Sequence, residues 1–136
     1  MRKMSLDLGD RRIGVAFSDP LGIIANGYET YTRINPEKDF AHIINLVKEK
    51  EVDTVVIGLP INMDGSMGER VDISKVFGNK LTGMIPNVKI VYMDERLSTA
   101  SAERMLIEAD VRRDKRKTVI DKVAATIILQ SYLDKK

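Results

Sequence analysis

Apolar positions along the chain alternate between two periods. Over residues 3–8 every second residue is apolar, with Met4, Leu6 and Leu8 on one side and Ser5 and Asp7 on the other, as a strand requires. Gly9-Asp10-Arg11-Arg12 reads as a tight turn into a second strand over 13–18, which predicts a β-hairpin. A third extended segment spans 23–33, with Gly22 and Asn26-Gly27 as turn or bulge points. The period then changes. Phe40, Ile43, Ile44 and Val47 recur at helical spacing, which predicts a helix over 36–50 with Asn35 as its N-cap and Pro36 in its first turn. The β-branched run over 53–58 predicts a strand covered on both faces. A helix over 68–82, a strand over 88–93, and helices over 98–109 and 118–133 complete the pattern. On the last helix, Val119, Val123, Thr126 and Ile127 are expected to share a face with Gln130. Antiparallel strands first and helix-covered parallel strands afterwards predict an α/β domain with a mixed five-stranded sheet flanked by helices.

Composition limits what this fold does. The chain has 136 residues, of which 43% are hydrophobic and 31% charged, which fits one domain over 1–136 with a real core. Cysteine is absent, so disulfides, thiolate metal sites and cysteine nucleophiles are excluded. A reducing cytoplasm suits such a chain, and any metal would be held by oxygen. Residues 1–3 run straight into a strand, and the longest apolar run, 55–61, is broken by Gly58 and Pro60. Neither a signal peptide nor a membrane span is expected. The net charge is only +2, so a nucleic-acid partner would have to be met by local positive charge.

Carboxylates supply the candidate chemistry. Asp7 lies inside an apolar strand, where an unpaired carboxylate is costly unless a cation or proton accompanies it. Its side of the strand carries Ser5 and Gly9, so it is expected to face a cleft and not the core. Glu95 follows the strand over 88–93, and strand ends line the ligand crevice of open α/β sheets. Asp121 is expected in the first turn of the last helix, with small Ala124 and Ala125 just beyond to let that helix lie close to the sheet. Each acid also has a structural reading. Thr118 and Asp121 have capping-box spacing, and Glu95 has Arg96 beside it to pair with.

Two further segments look chemical. The loop over 59–66 carries Asn62, Asp64 and Ser66 between a buried strand and a helix, where free backbone N–H groups suit a phosphate. Arg112, Arg113, Lys115, Arg116 and Lys117 are five cations within six residues, expected as a basic loop beside Asp121 that grips a phosphodiester backbone. A solvated charge run is the plainer reading. His42, the one histidine, reads as core or surface filler, as do the methionines.

Four stretches together resemble the YqgF family, also called RuvX, of pre-16S ribosomal RNA nucleases: DLGDRRIGVAFSD over 7–19, VVIGLPINMDGS over 55–66, DERLST over 94–99 and IDKVAATIILQSYL over 120–133. They stand in the family's order and span most of the chain. The resemblance implies a ribonuclease-H-like fold related to the Holliday junction resolvase RuvC, a cytoplasmic bacterial setting, and a cofactor of Mg2+ or Mn2+, two ions in all. It implies that Asp7, Glu95 and Asp121 are the catalytic and metal-binding acids. Arg11, Arg12, Arg96 and the 60–66 loop would border the site and meet nucleic acid. The expected substrate is the 5′ end of pre-16S ribosomal RNA, with branched DNA as the alternative, and the enzyme would be a monomer or a homodimer. Two other classes stay open at this point: a non-catalytic nucleic-acid-binding factor in transcription or ribosome assembly, and an ATP-binding domain of the actin and sugar-kinase type, whose first phosphate loop Asp7-x-Gly9 also resembles.

Overall fold

The computed structural model describes residues 1–62, 64–95 and 113–135, with side chains in the last helix described from residue 120 onward. The elements in chain order are β1 (Arg2–Leu8), β2 (Arg12–Ser18), β3 (Ala25–Thr32), α1 (Pro36–Glu49), β4 (Val52–Leu59), α2 (Glu69–Met84), β5 (Lys89–Asp94) and α3 (Arg113–Asp134). The expected helix over 98–109 lies outside the described residues. The strands form one sheet in the order β3-β2-β1-β4-β5. β1 pairs antiparallel with β2 and parallel with β4, so the strand carrying Asp7 is central. β3 and β5 close the edges, antiparallel to β2 and parallel to β4. The register of β2 and β3 shifts between Val15 and Ala16, beside the expected bulge point at Asn26-Gly27.

The two faces of the sheet have separate cores. Met4, Leu6 and Leu8 of β1 pack with Phe40, Ile43, Leu46 and Val47 of α1 and with Phe77 and Leu81 of α2. On the opposite face Ala16 and Val56 pack with Ala125, Ile128, Leu129 and Leu133 of α3. The period-two alternation of β1 thus sends Ser5 and Asp7 towards α3. Asn35 caps α1 as expected, its side chain accepting from the Lys38 N–H at 2.9 Å. Asn35→Ala is expected to remove about 1 kcal/mol, lowering the midpoint of thermal unfolding by about 4 °C in a thermal scan, with cleavage unaffected.

The last helix departs from expectation in two ways. It is already helical at Arg113, ahead of 118, so the basic segment from Arg113 to Lys117 is helical instead of a loop, and Asp121 is not in the first turn. Lys and Arg are good helix formers, and neither Gly nor Pro interrupts the run. The capping-box reading of Thr118 and Asp121 falls with it. The buried face also differs: Ala124, Ala125, Ile128, Leu129 and Leu133 face the sheet, while Val123, Thr126 and Ile127 are half-buried at the flanks. Small Ala124 and Ala125 face the strands where the helix comes closest, beside Gly14, and Ile128, Leu129 and Leu133 fill the space farther along. Gln130 closes the edge of this face, its Oε1 accepting from the Ala25 N–H at 2.9 Å and its Nε2 donating to the Ile23 carbonyl at 3.1 Å.

Candidate active site

The approach of α3 to the sheet sets the position of the acids. Asp7 stands opposite Gly14 in the β1–β2 register. A Cβ on Gly14 would lie 1.9 Å from the Asp121 carbonyl oxygen, so α3 rests directly on β2 there and only glycine fits. Two residues before Asp7, Ser5 Oγ donates to the Ala125 carbonyl at 2.6 Å, tying β1 to the same helix. Glu95 comes from the other side. It follows β5, and its N–H donates to the Leu59 carbonyl at 3.1 Å, which continues the β4–β5 pairing by one step. Its carboxylate lies over Gly58 of β4, where a Cβ would be 2.5 Å from Oε2. Helix and strand end thereby bring Glu95 and Asp121 to Asp7.

The three carboxylates interact. Asp7 and Glu95 are hydrogen-bonded through their side chains, and the charge of Asp121 acts on both. Asp7 is 8% exposed, so it is buried where a side chain facing an open cleft was expected. Burial, then repulsion and hydrogen bonding from Glu95 and repulsion from Asp121, push the Asp7 carboxyl up to about 9. Burial also raises Glu95, against the hydrogen bond from Asp7 and the positive charge of Arg70. The pair therefore keeps a proton at neutral pH. Asp121, with its side chain 21% exposed, accepts from Arg12 Nε at 3.2 Å. Among the described residues no three acids stand together as a metal-holding group, and Asp121 is engaged by Arg12.

The donor set nevertheless suits a hard divalent ion. It is all oxygen, partly buried and over-supplied with negative charge, and a shared proton is what such a cation displaces.

The flanking residues are disposed unevenly. Arg11 is exposed at the hairpin tip. Arg12 faces inward onto Asp121. The expected phosphate loop is folded on itself: Asp64 Oδ1 accepts from the Ser66 N–H at 2.9 Å and from Ser66 Oγ at 2.6 Å, while Asn62 Nδ2 donates to Ser66 Oγ at 2.9 Å. Its donors at Ser66 are thus taken by the loop's own carboxylate and are not free for an anion. Arg96 and Arg112 lie outside the described residues. Arg113, Lys115, Arg116 and Lys117 occupy the first turns of α3, ahead of Asp121 on the same helix.

Arg70 was not foreseen. Its charge opposes the upward shifts of both Asp7 and Glu95. A cation in the first turn of α2 runs against the helix dipole, and that was the available sequence signal.

The profile of the RuvX family, described as Holliday junction resolvase, matches residues 1–135. The chain belongs to the RuvX family. Among RuvX relatives, proteins named "Putative pre-16S rRNA nuclease" are 55% identical in Halalkalibacterium halodurans, over 100% of this chain and 98% of that one. The Streptococcus thermophilus protein of the same name is 53% identical over 99% of each. In three dimensions this RuvX chain is similar to the fowlpox virus resolvase solved with Holliday junction DNA, with a TM-score of 0.64 and 13% identity over 99% of this chain and 98% of that one. Thermus thermophilus RuvC in complex with a Holliday junction substrate gives a TM-score of 0.61 at 11% identity, over 99% and 94%. The RuvX chain has the ribonuclease-H-like fold of these resolvases, as the motifs implied.

Proposed function

We propose that the protein is a divalent-metal-dependent nuclease of the cytoplasm that processes the 5′ end of pre-16S ribosomal RNA. The observation that carries this reading is the buried, hydrogen-bonded pair Asp7 and Glu95 with Asp121 beside it. Such a concentration of buried carboxylate is unfavourable for folding unless positive charge arrives, and groups perturbed in this way cluster at functional sites. Asp7, Glu95 and Asp121 would hold Mg2+ or Mn2+, two ions in the complete site. When bound, these ions supply an activated water and neutralise charge on the leaving oxygen of a phosphodiester. Asp7 and Glu95 give up their shared proton so that both are anionic at neutral pH. Arg12 orients Asp121, and Arg70 favours the ionised state of the other two acids. Arg11, Arg96, Arg112, Arg113, Lys115, Arg116 and Lys117 grip flanking phosphates.

Arg12 is a positioning residue in this scheme. Arg12→Ala is expected to slow cleavage about 10- to 100-fold, as loss of a partner to a metal-binding side chain does. Folding stability should change by less than about 1 kcal/mol, because the ion pair is half exposed. Cleavage kinetics beside a thermal scan separate the two effects.

A second substrate, branched DNA, is favoured by the description of the matching family profile as a junction resolvase. Cleavage of labelled precursor RNA and of a four-way DNA junction, side by side with magnesium or manganese, decides between them. Metal-dependent cutting of the RNA by the wild type, absent in Asp7→Asn, supports the proposal; cutting of the junction alone replaces the substrate. If Asp7→Asn cuts as fast as the wild type, the catalytic scheme is wrong.

A further inference from the structure

Across the end of β1 from the carboxylates lies a cavity of about 150 Å³ between α1 and α2. Leu8 and Gly9, the two residues after Asp7, form one wall. The floor is apolar: Phe40 and Phe77 stack with ring centroids 4.4 Å apart. Ile73 and Val76 stand at the mouth, 53% and 52% exposed. The rim carries Arg33, Arg70 and Lys80 with Asp10 among them, and the buried Asp39 stands behind Arg33. Arg33 is fixed in place. Its Nε donates to the buried Asp39 at 3.1 Å, one of its terminal nitrogens donates to the Gly9 carbonyl at 3.0 Å, and its guanidinium lies 6.0 Å from the Phe77 ring centre. Arg70 stands 3.7 Å from Asp10, in the turn that follows Asp7 and β1, so the cavity opens beside the end of the strand that carries Asp7.

We propose that this cavity seats the base of one unpaired nucleotide of the substrate strand, next to the bond that is cut. This rests on the nuclease reading and narrows its substrate class. Pockets for drug-sized ligands run from about 300 to 1,000 Å³, so this one has room for a single heterocycle and not for a whole nucleotide. The apolar floor takes the flat base, and the guanidinium and ammonium groups at the mouth meet the phosphates on either side. A paired base is held in its stack and does not reach such a cavity without being flipped. A strand with a single-stranded flank, as at an RNA end, presents its bases freely. The cavity therefore selects unpaired RNA over the continuous arms of a duplex.

The test is a cycle of enzyme and substrate changes. A labelled RNA with a single-stranded flank is made intact and with one abasic nucleotide at each position near the cut, and each is cleaved by the wild type and by Ile73→Glu. Ile73 is half exposed, so the variant is expected to fold, and thermal unfolding checks this. Val76→Trp, which fills the mouth by size, is the second variant. With the wild type, one abasic position should lower kcat/KM about 10-fold or more. Either variant should lower kcat/KM on intact RNA to a similar degree and show no further loss at that position.

Cleavage that is indifferent to every abasic position, or losses that multiply independently, would overturn the proposal while leaving the nuclease intact. If the wild type cuts no RNA or DNA, the nuclease reading fails, and the same cycle is read as binding of the labelled RNA by anisotropy. Equal affinity for intact and abasic strands, or for wild type and variants, then overturns the base pocket too.

Discussion

Asp7→Asn is expected to abolish cleavage and, at the same time, to stabilise the metal-free protein. The first effect follows from losing the central carboxylate, and the rate should drop by more than about 10³-fold, beyond the loss of a single stabilising hydrogen-bond donor in other hydrolases. The second follows from burial. Asp7 is pushed up to about 9 in the folded protein from an ordinary 3.8, because it is buried and Glu95 and Asp121 crowd it. Between about pH 4 and pH 9 the folded state thus holds a proton that the unfolded chain has lost. Stability from this group is complete at low pH and declines as pH rises through that window. An asparagine amide donates to Glu95 where the shared proton now sits and carries no charge to neutralise. The unfolding midpoint of Asp7→Asn in a metal chelator should rise by about 4 °C or more at pH 7.5, equivalent to about 1 kcal/mol, and the decline of stability with pH should flatten. Thermal scans of both proteins at pH 5, 7 and 9 check the sign. A merely structural aspartate would show the opposite, a loss of stability on substitution.

Gly14→Ala is expected to be the most damaging single-methyl change in the chain. The added carbon would meet the Asp121 carbonyl oxygen at 1.9 Å, and the obstacle is helix backbone that no rotamer change moves aside. α3 must lift from β2, which strains the Ser5 bond to Ala125 and draws Asp121 away from Asp7. Overpacking of this kind costs about 3 kcal/mol or more, so the unfolding midpoint should fall by about 10 °C. Cleavage at a temperature where the variant remains folded should also fall, since the third acid is displaced. Unfolding curves and rates at 20 °C separate the two losses. A variant with full activity and stability would show that α3 does not need this contact.

The order of the described strands and helices was legible because apolar period changes cleanly between two and near four, and because Asn35 and Pro36 mark the start of α1. Asp7 and Glu95 stood out for a related reason: a carboxylate inside a strand and one at a strand end need an explanation that an exposed acid does not. The close approach of α3 was legible in Ala124 and Ala125, but the full face that it buries was hidden. Its buried face depends on Gly14 and Gly58, residues of other strands far away in sequence, and these allow Ala124 and Ala125 to outrank the bulkier Val123 and Ile127 as contacts. Its helical course from Arg113 was hidden as well, because a run of Lys and Arg reads as a solvated loop although both residues favour helix. The inward turn of Ser66 onto Asp64 depends on side-chain hydrogen bonds for which composition gives no sign. Arg70 and the cavity beside it arise only when α2 is laid against the end of β1.

Calorimetric titration of manganese into metal-free protein at pH 7.5, repeated in buffers of different ionisation enthalpy, tests most directly whether Asp7 and Glu95 form a metal site. The expected result is binding by the wild type with net release of about one proton, the one the two carboxylates share, and greatly weakened binding without that release in Asp7→Asn. Binding of equal strength in both proteins, or wild-type binding that releases no proton, would contradict the assignment of these acids as the metal site.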